Sequence, residues 1–429
     1  MNKINFKYQL NEIPSFQELI LFGLQWLVIT IPSLIIMGKV VAGLHFNLSF
    51  AQTIYVQKVF FVSAVTLLVQ IYWGHGLPLI VGPSSVLLVG IISSQGSSID
   101  SIYSSIMVGG LVLAVLGMTG LFGYIKALFT PRVVAATLIL IAFTMTPMIT
   151  NLITTTSQGS NGFFNIVFAL SLIFCLFIAN KYVIGIWKLT LTLWGIVIGT
   201  LIYNFFFPVE IAGNLGYELF STFFSNLTVN ITLEPGMIIS FLICFLALAI
   251  NDLGSMQSVN ELINPENKEK RITRGITITG LGNILAGFFG VIGTVNFSLS
   301  PGVIVSTRCA SKYTLVPTGL GLLLLSFFPK AIAFMGTIPS VVIGSVLVYI
   351  MCSQIAAGLL VAYNAMGEFT FEHGLAMGLS LMLSIIISFL SLEILNSFPT
   401  ILRPILGNGF VMGVVSVLIM EHLIFKKSK

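Results

Sequence analysis

Two apolar stretches, residues 77–90 and 291–305, constrain the fold of this chain most, because glycine, proline and hydroxyl residues interrupt both of them. Irregular backbone is tolerated at membrane depth only where it is buried in protein or lines a cavity. A pair of such segments, one in each half of a chain, is typical of the substrate site of a membrane transporter. The alternative is a glycine-rich interface at which membrane helices pack closely. The symmetric positions of Pro83 and Pro301 favour the transporter interpretation.

The composition places most of the chain inside a lipid bilayer. Of its 429 residues, 56% are hydrophobic and only 8% are charged, whereas soluble domains carry about 25% charged residues. A bilayer-spanning helix needs roughly 20 apolar residues, and the apolar runs lack the alternating polarity of membrane β-strands. We therefore predict an all-α polytopic membrane protein.

The apolar runs predict fourteen spans in two halves of seven, separated by the long polar segment 208–234. An odd number of spans in each half makes the halves an inverted repeat. The interrupted segments are then the broken third and tenth spans. The spans are predicted near residues 18–40, 51–72, 77–94, 105–126, 131–150, 163–180, 186–207, 235–258, 273–290, 296–307, 313–329, 338–362, 372–391 and 406–425.

The cations indicate how these spans are oriented. If the N-terminus lies in the cytoplasm, the cytoplasmic loops and tails hold fifteen of the nineteen lysines and arginines, all except Lys39, Lys58, Lys330 and Arg403. Such an excess follows the positive-inside rule. It predicts a multi-pass protein of the cell (inner) membrane with both termini in the cytoplasm.

The longest family-like motif is the run over residues 274–290, which reads RGITITGLGNILAGFFG. It resembles the ninth span of the nucleobase–ascorbate transporters, a family of nucleobase:cation symporters that includes bacterial uracil and xanthine permeases. Gly302, Thr307 and Arg308 resemble the tenth-span signature of that family, an N-x-G followed by T-R. The resemblance is specific around residues 250–310, and in the number and order of spans it extends over nearly the whole chain.

Two shorter motifs resemble the same family. Leu24 and Gln25 match the first two residues of its first-span L-Q-H, with Trp26 in place of the histidine. Residues 82–85 resemble its third-span G-S-S-F.

The resemblance implies a division into a core domain and a gate domain. The broken third and tenth spans would each carry a short extended segment followed by a half-helix. Substrate would bind between these half-helices, where core meets gate, and a rocking or elevator-like movement driven by H⁺ or Na⁺ would carry it across. A homodimer through the gate domain is also implied. The expected parts are a tail at 1–17, core spans at 18–130 and 235–330, gate spans at 131–207 and 331–425, an extracellular connection at 208–234, and a tail at 426–429.

The chain departs from the family where polar residues are usual. The family places a glutamate three residues before a glycine in the eighth span. Here Asn251 stands three residues before Gly254, and Asp252 comes directly after Asn251. In the tenth span, Leu299 and Ser300 stand where an acid or glutamine and an asparagine are usual.

Asp252 is the candidate for ion coupling, because it is the only acid well inside a clearly apolar core helix. A charged aspartate at the bilayer centre costs about 2.5–3.5 kcal/mol on insertion scales, and such residues are usually functional. We expect it to take up a coupled proton or to help bind Na⁺. The alternative is that it caps a helix break or pairs with a buried donor.

The other candidates are expected to contact substrate. Asn251 and Gln25 carry amides that both donate and accept hydrogen bonds, as the edge of a planar heterocycle does, and helix–helix links are their alternative role. Serines near the breaks would lie at half-helix N-termini, where free N–H groups and the positive end of the helix dipole suit a carbonyl or anionic edge of a substrate. Serines are also ordinary helix caps. Phe297 could stack on a flat ring or could simply pack in the core. The predicted substrate residues are Gln25, Ser84, Ser85, Asn251, Phe297, Ser298, Leu299 and Ser300.

The sequence thus predicts a secondary transporter that moves a nucleobase-like planar solute, such as uracil or xanthine, by H⁺ symport. A sulfate-permease-type anion carrier on the same seven-plus-seven plan is one alternative, and a non-transporting membrane scaffold or sensor is another. We find no phosphate-binding loop and no catalytic triad, so neither an enzyme nor a bound cofactor is expected. No histidines have metal-ligand spacing, the four cysteines form no CxxC pair, and the net charge of +5 does not suggest a nucleic-acid partner.

Overall fold

The computed structural model describes residues 6–94, 96–120, 128, 130–156, 161–208, 218–224, 230–297, 299–365, 370–399 and 402–425. The described chain is mostly helical, with two short strands. Ser298, the predicted tail at 426–429 and parts of the predicted connection at 208–234 lie outside the described residues. The elements are α1 (Phe16–His45), α2 (Ser49–Tyr72), β1 (Val81–Pro83), α3 (Ser85–Ser93), α4 (Ile99–Thr119), α5 (Pro131–Thr144), α6 (Thr146–Thr154), α7 (Gly162–Tyr182), α8 (Ile186–Leu189), α9 (Leu191–Phe206), α10 (Pro235–Ile263), α11 (Lys268–Phe288), β2 (Thr294–Asn296), α12 (Ser300–Thr307), α13 (Leu315–Ser326), α14 (Pro329–Met335), α15 (Ser340–Ala365), α16 (Phe371–Ser388), α17 (Leu392–Asn396), α18 (Arg403–Leu406) and α19 (Gly409–Ile419).

Many of these helices are long and apolar enough to cross a bilayer. Within the described residues there are 8 such helices, with α5 and α6 taken together as one over Pro131–Thr154. The count rises to 9 when α13 and α14, which are bent by 94° at their junction, are also taken as one span. The chain is therefore a multi-pass membrane protein. The count of fourteen spans stays a prediction, because α3 and α12 in the interrupted segments have only 9 and 8 residues, whereas a full span needs roughly 20.

The two interrupted segments meet in a two-stranded antiparallel sheet. Val81 pairs with Asn296, and Pro83 pairs with Thr294. One further backbone hydrogen bond flanks each end, from Ser84 to the Gly293 carbonyl (2.9 Å) and from Phe297 to the Ile80 carbonyl (2.8 Å). All six strand residues are buried. The ladder therefore satisfies backbone polar groups of the irregular segments inside the protein, as the membrane requires.

A short helix follows each strand, and local sequence explains where each begins. Ser84 has extended backbone and its hydroxyl accepts from the Leu87 N–H, so it caps α3. Pro301 lies in the first turn of α12, where a missing N–H removes no helical hydrogen bond.

The glycines of the family-like run allow two long helices to approach closely. Helix α11 packs along α4. A side-chain carbon at Gly280 would lie 2.4 Å from the Ala114 nitrogen, and one at Gly110 would lie 2.8 Å from the Gly280 carbonyl oxygen. This is the small-residue packing that membrane helices use. This glycine-rich interface joins α4 to α11 and lies outside residues 77–90 and 291–305, for which such packing is considered as the alternative.

The N-terminal segment is docked on the chain that follows α12. Tyr8 forms a parallel bridge with Cys309, and the Ala310 N–H donates to the Tyr8 carbonyl (2.9 Å). Lys7 and Tyr8 also hydrogen-bond to Glu18 at the start of α1. The described part of the predicted tail thus belongs to the folded body of the protein.

Candidate functional site

A cavity of about 310 Å³ lies between the strand pair and the helices packed against it. Its volume is at the lower end of the range of about 300–1,000 Å³ that small-molecule sites occupy. One wall comes from the interrupted segments together with α1 and α10, and the facing wall comes from α8, α9 and α15. The polar and aromatic lining residues are Ser33, Ser85, Lys188, Thr192, Asn251, Phe297, Tyr349, Ser353 and Gln354.

Four of the predicted substrate residues line this cavity. They are Ser85 in the first turn of α3, Asn251 in α10, and Phe297 and Leu299 between β2 and α12. The cavity therefore combines an amide, a hydroxyl, an aromatic ring and an apolar side chain on one wall.

The other described candidates, Ser84, Ser300 and Gln25, do not line the cavity. Ser84 caps α3, and the buried Ser300 hydroxyl accepts from the Ile80 N–H (3.2 Å) and donates to the Phe297 carbonyl (2.9 Å). Gln25 does not line the cavity, and its Oε1 is buried without a hydrogen-bond partner among the described residues. Ser84 and Ser300 therefore shape the backbone around the cavity rather than its surface.

The ring of Phe297 occupies the space beside Gly82 of β1, which has no side chain. A side-chain carbon built at Gly82 would lie 2.5 Å from the Phe297 Cζ atom. The ring therefore packs directly over the Gly82 backbone while it lines the cavity. In this position the ring can offer a flat apolar face to a planar solute.

Asp252 lies behind the cavity wall, fully buried. Its Oδ1 accepts from the Asn296 backbone N–H (3.0 Å) and from the Asn296 Nδ2 (2.7 Å), and its Oδ2 accepts from the Thr279 hydroxyl (2.7 Å). The carboxylate thus joins α10 to β2 and α11. Its contacts fit the buried-donor alternative drawn from the sequence, and they place it one hydrogen bond from the strand that lines the cavity.

The network continues to His75, which is fully buried. The Leu77 N–H donates to its Nδ1 (2.9 Å), so the proton of a neutral ring is on Nε2, which lies 3.0 Å from the Asn296 Oδ1 and donates to it. Gln70 extends the network through its Nε2 to the Thr279 hydroxyl (3.0 Å). The side chain of Asn296 is therefore fixed from both ends.

Sequence reasoning missed the whole facing wall of the cavity. Lys188 in α8, Thr192 in α9 and Gln354 in α15 line it, yet no motif marks them, and Lys188 counted only as a cytoplasmic loop charge. Lys188 is the one charged residue in the described lining of this cavity, which has no carboxylate. The sequence signal that could have identified Lys188 as a lining residue is its position next to an apolar span.

The chain was compared with known families and curated proteins. The sequence model of a family described as "Permease family" matches residues 17–393. The chain is similar to the xanthine permease of Bacillus subtilis, with 23% identity over 92% of this chain and 91% of that protein. It is also similar to the uric acid permease PucK of Bacillus subtilis, with 24% identity over 80% of this chain and 81% of that protein.

A solved structure shows the same fold. The transmembrane domain of a cyanobacterium bicarbonate transporter, BicA, superposes with a TM-score of 0.59 at 16% identity, covering 88% of this chain and 98% of that one. At this level of identity the likeness shows the fold alone.

Proposed function

Because the chain belongs to the permease family of nucleobase–ascorbate transporters, we propose that it is a secondary active transporter of a nucleobase-like planar solute, such as uracil, xanthine or a related oxopurine. The observation that carries this proposal is the cavity beside the strand pair, which is lined by Ser85, Asn251 and Phe297. Its relatives named for xanthine and uric acid support this substrate class.

The cavity wall can recognise a flat heterocycle through hydrogen bonds to its edge and stacking on its face. The Asn251 amide can donate to a ring carbonyl and accept from a ring N–H at the same edge. Ser85 lies in the first turn of α3, where free N–H groups and the helix dipole favour a carbonyl or anionic edge. The Phe297 ring would stack on the face of the heterocycle.

The proposed movement is of a core domain against a gate domain. One cavity wall is built from residues within 18–130 and 235–330, and the facing wall from residues within 131–207 and 331–425. Relative motion of the two groups would open the cavity to one side of the membrane and then to the other. The fold shared with the transmembrane domain of BicA supports this seven-plus-seven arrangement. The asymmetry of lysines and arginines supports the proposal that both termini lie in the cytoplasm, in a cell inner membrane.

The proposed coupling ion is H⁺, with Na⁺ as the alternative, and Asp252 is the proposed coupling residue. A protonated carboxyl group would lose an acceptor position and could no longer serve all the donors of Asn296 and Thr279. Proton uptake would then loosen the link between α10 and β2, and so alter the strand that carries Phe297.

A specific observation favours an anion carrier as the second candidate. The described cavity lining contains a lysine and no carboxylate, so its only full charge attracts anions. A non-transporting scaffold remains the third candidate, and it predicts neither uptake nor substrate binding.

Uptake into proteoliposomes tests these candidates. Radiolabelled uracil, xanthine, urate, sulfate and bicarbonate would each be supplied with no gradient, with an inward H⁺ gradient, and with an inward Na⁺ gradient. We expect saturable uptake of at least one nucleobase that the H⁺ gradient stimulates. Uptake of sulfate or bicarbonate alone would establish the anion carrier, and no uptake of any solute would contradict both transport proposals.

A further inference from the structure

A second cavity, of about 250 Å³, lies at the ends of α2 and α11. It is separate from the proposed transport cavity, which is the cavity beside the strand pair lined by Ser85, Asn251 and Phe297. Its lining includes four cationic side chains: Lys270, Arg271, Arg274 and Lys312. They come from two segments distant in sequence, the start of α11 and the turn before α13. The charge pattern assigns both segments to the cytoplasmic side of the membrane.

Gly76 marks the point where two of these cations converge. A side-chain carbon built there would lie 3.0 Å from the Arg271 Nη1 and 3.8 Å from the Lys312 Nζ. Gly76 has a left-handed backbone, with φ of 59°, and glycine adopts this conformation without strain. The positive-inside rule accounts for lysines and arginines on this side, but not for their pointing at one another around a concave surface.

Backbone carbonyls hold Arg271 in this position. Its Nη1 donates to the carbonyls of His75 (2.9 Å) and Gly76 (3.2 Å), and its Nε donates to the Glu266 carbonyl (3.0 Å). These neutral acceptors orient the guanidinium and leave its charge uncompensated.

Carboxylates do not neutralise the four cations. Within the described part of the chain, the ion pairs join Lys7 to Glu18 and Arg132 to Glu421, and neither pair includes a lining residue of this cavity. Burial and then the nearby Arg271 charge lower the pKa of Lys312. Burial and then Arg274 lower the pKa of Arg271, against a smaller opposing effect of Glu266. Burial is the larger cause in both cases, and the second cause is the neighbouring cation, in keeping with the convergence of Arg271 and Lys312 at Gly76. A bound anion would stabilise such an arrangement.

We propose that this cavity binds a phosphate-bearing anion. Guanidinium groups match phosphate oxygens in geometry as well as in charge, and basic pockets between membrane helices on the cytoplasmic side suit anionic headgroups. Two sources share this chemistry: the headgroup of an anionic phospholipid, and a soluble phosphorylated compound. The site is separate from the transport cavity, so binding to it does not depend on which solute is carried.

Binding to the full-length protein tests the proposal. Delipidated protein would be titrated with cardiolipin in neutral detergent and followed by native mass spectrometry, and with pyrophosphate followed by calorimetry. The test variant is Lys270→Gln/Lys312→Gln. The matched control is Lys181→Gln/Lys268→Gln, which removes the same charge from the predicted cytoplasmic side outside the cavity.

We expect the wild-type protein and the control to bind one of the two probes, and the test variant to bind it about tenfold or more weakly. A Lys270→Arg/Lys312→Arg variant keeps the charge and should retain binding, which separates lost charge from damaged folding. Preference for cardiolipin would identify the lipid source, and preference for pyrophosphate the soluble one. Equal weakening in the test and control variants, or no binding of either probe by the wild-type protein, would overturn the proposal.

Discussion

Asn251 and Asp252 are neighbours in α10, yet they face different parts of the protein. Asn251 lines the transport cavity, whereas Asp252 is fully buried against Asn296 and Thr279. Successive residues of an α-helix project about 100° apart, so a single position separates a group that can touch substrate from one that holds the cavity wall. The sequence assigned substrate contact to Asn251 and ion coupling to Asp252, but it left open which of the two replaces the glutamate of the family's eighth span.

Asn251→Ala should weaken substrate binding without unfolding the protein. The change removes one or two hydrogen bonds, worth about 1 kcal/mol each, to a bound heterocycle, so the KM of uptake should rise about five- to thirtyfold. The matched control is Ser258→Ala, on the same helix at an exposed position outside the cavity. An unchanged KM for every nucleobase that the wild-type protein transports would show that Asn251 does not contact the substrate.

Asp252→Asn should lower both stability and coupling. The new amide keeps one oxygen for the two donors of Asn296 but turns its NH2 group toward the Thr279 hydroxyl, which donates to Asp252 in the wild-type protein. Loss of a hydrogen bond to a charged acceptor costs about 1.5–3 kcal/mol. We expect a lower thermal unfolding temperature, and uptake that no longer responds to an imposed pH gradient. Asp100→Asn, in α4 outside the transport cavity, is the control. Full pH-stimulated uptake by Asp252→Asn would remove Asp252 from the coupling mechanism whatever its effect on stability.

The pair of strands is the element that turns two distant segments into one site. Residues 81–83 and 294–296 are far apart in sequence, and their pairing fixes the starts of α3 and α12 relative to each other. Ser84 and Ser300 serve this arrangement by capping and bridging. The interruptions in the sequence indicated where irregular backbone would be, but not that the two breaks would pair.

Gly82→Ala should disturb the cavity through Phe297 alone. The added methyl group would lie 2.5 Å from the Phe297 ring, so the ring must move, and stacking on a planar solute would be lost. We expect a KM that rises several-fold with little change in the amount of folded protein, since overpacking of this kind costs about 1–3 kcal/mol. Gly378→Ala, where no atom lies within 4 Å of the added carbon, is the control. Equal transport by the two variants would contradict the role assigned to Phe297.

At the scale of the whole molecule, the cavity exists only because two sets of helices face each other. The interrupted segments supply one wall, and α8, α9 and α15 supply the other. Lys188 brings a positive charge from this second wall to a cavity whose described lining has no carboxylate. The charge of the cavity lining therefore comes from Lys188, which lies outside the interrupted segments that predicted a site.

Lys188→Gln should change which solutes are preferred. Loss of an exposed charge is worth about 0.2–1 kcal/mol, so the uptake of urate, which is an anion at neutral pH, should fall about two- to fivefold relative to that of neutral uracil. Lys181→Gln, an exposed lysine outside the cavity, is the control. The measurement is the ratio of the two uptake rates in the same vesicles. A ratio that is unchanged would show that Lys188 does not contribute to substrate selection.

The sequence by itself determined that the chain lies in a membrane, that it is mainly helical and which family it belongs to. Hydropathy, charge asymmetry and the run at 274–290 are local properties of the chain, so they can be read without its tertiary structure. It also determined where irregular backbone lies. Tertiary structure alone decided which side chains meet. Pairing of β1 with β2 brought Phe297 over Gly82, a one-residue rotation in α10 sent Asn251 and Asp252 to different faces, and helix packing added Lys188 to the cavity. These outcomes depend on contacts between residues far apart in the chain, which no local pattern encodes.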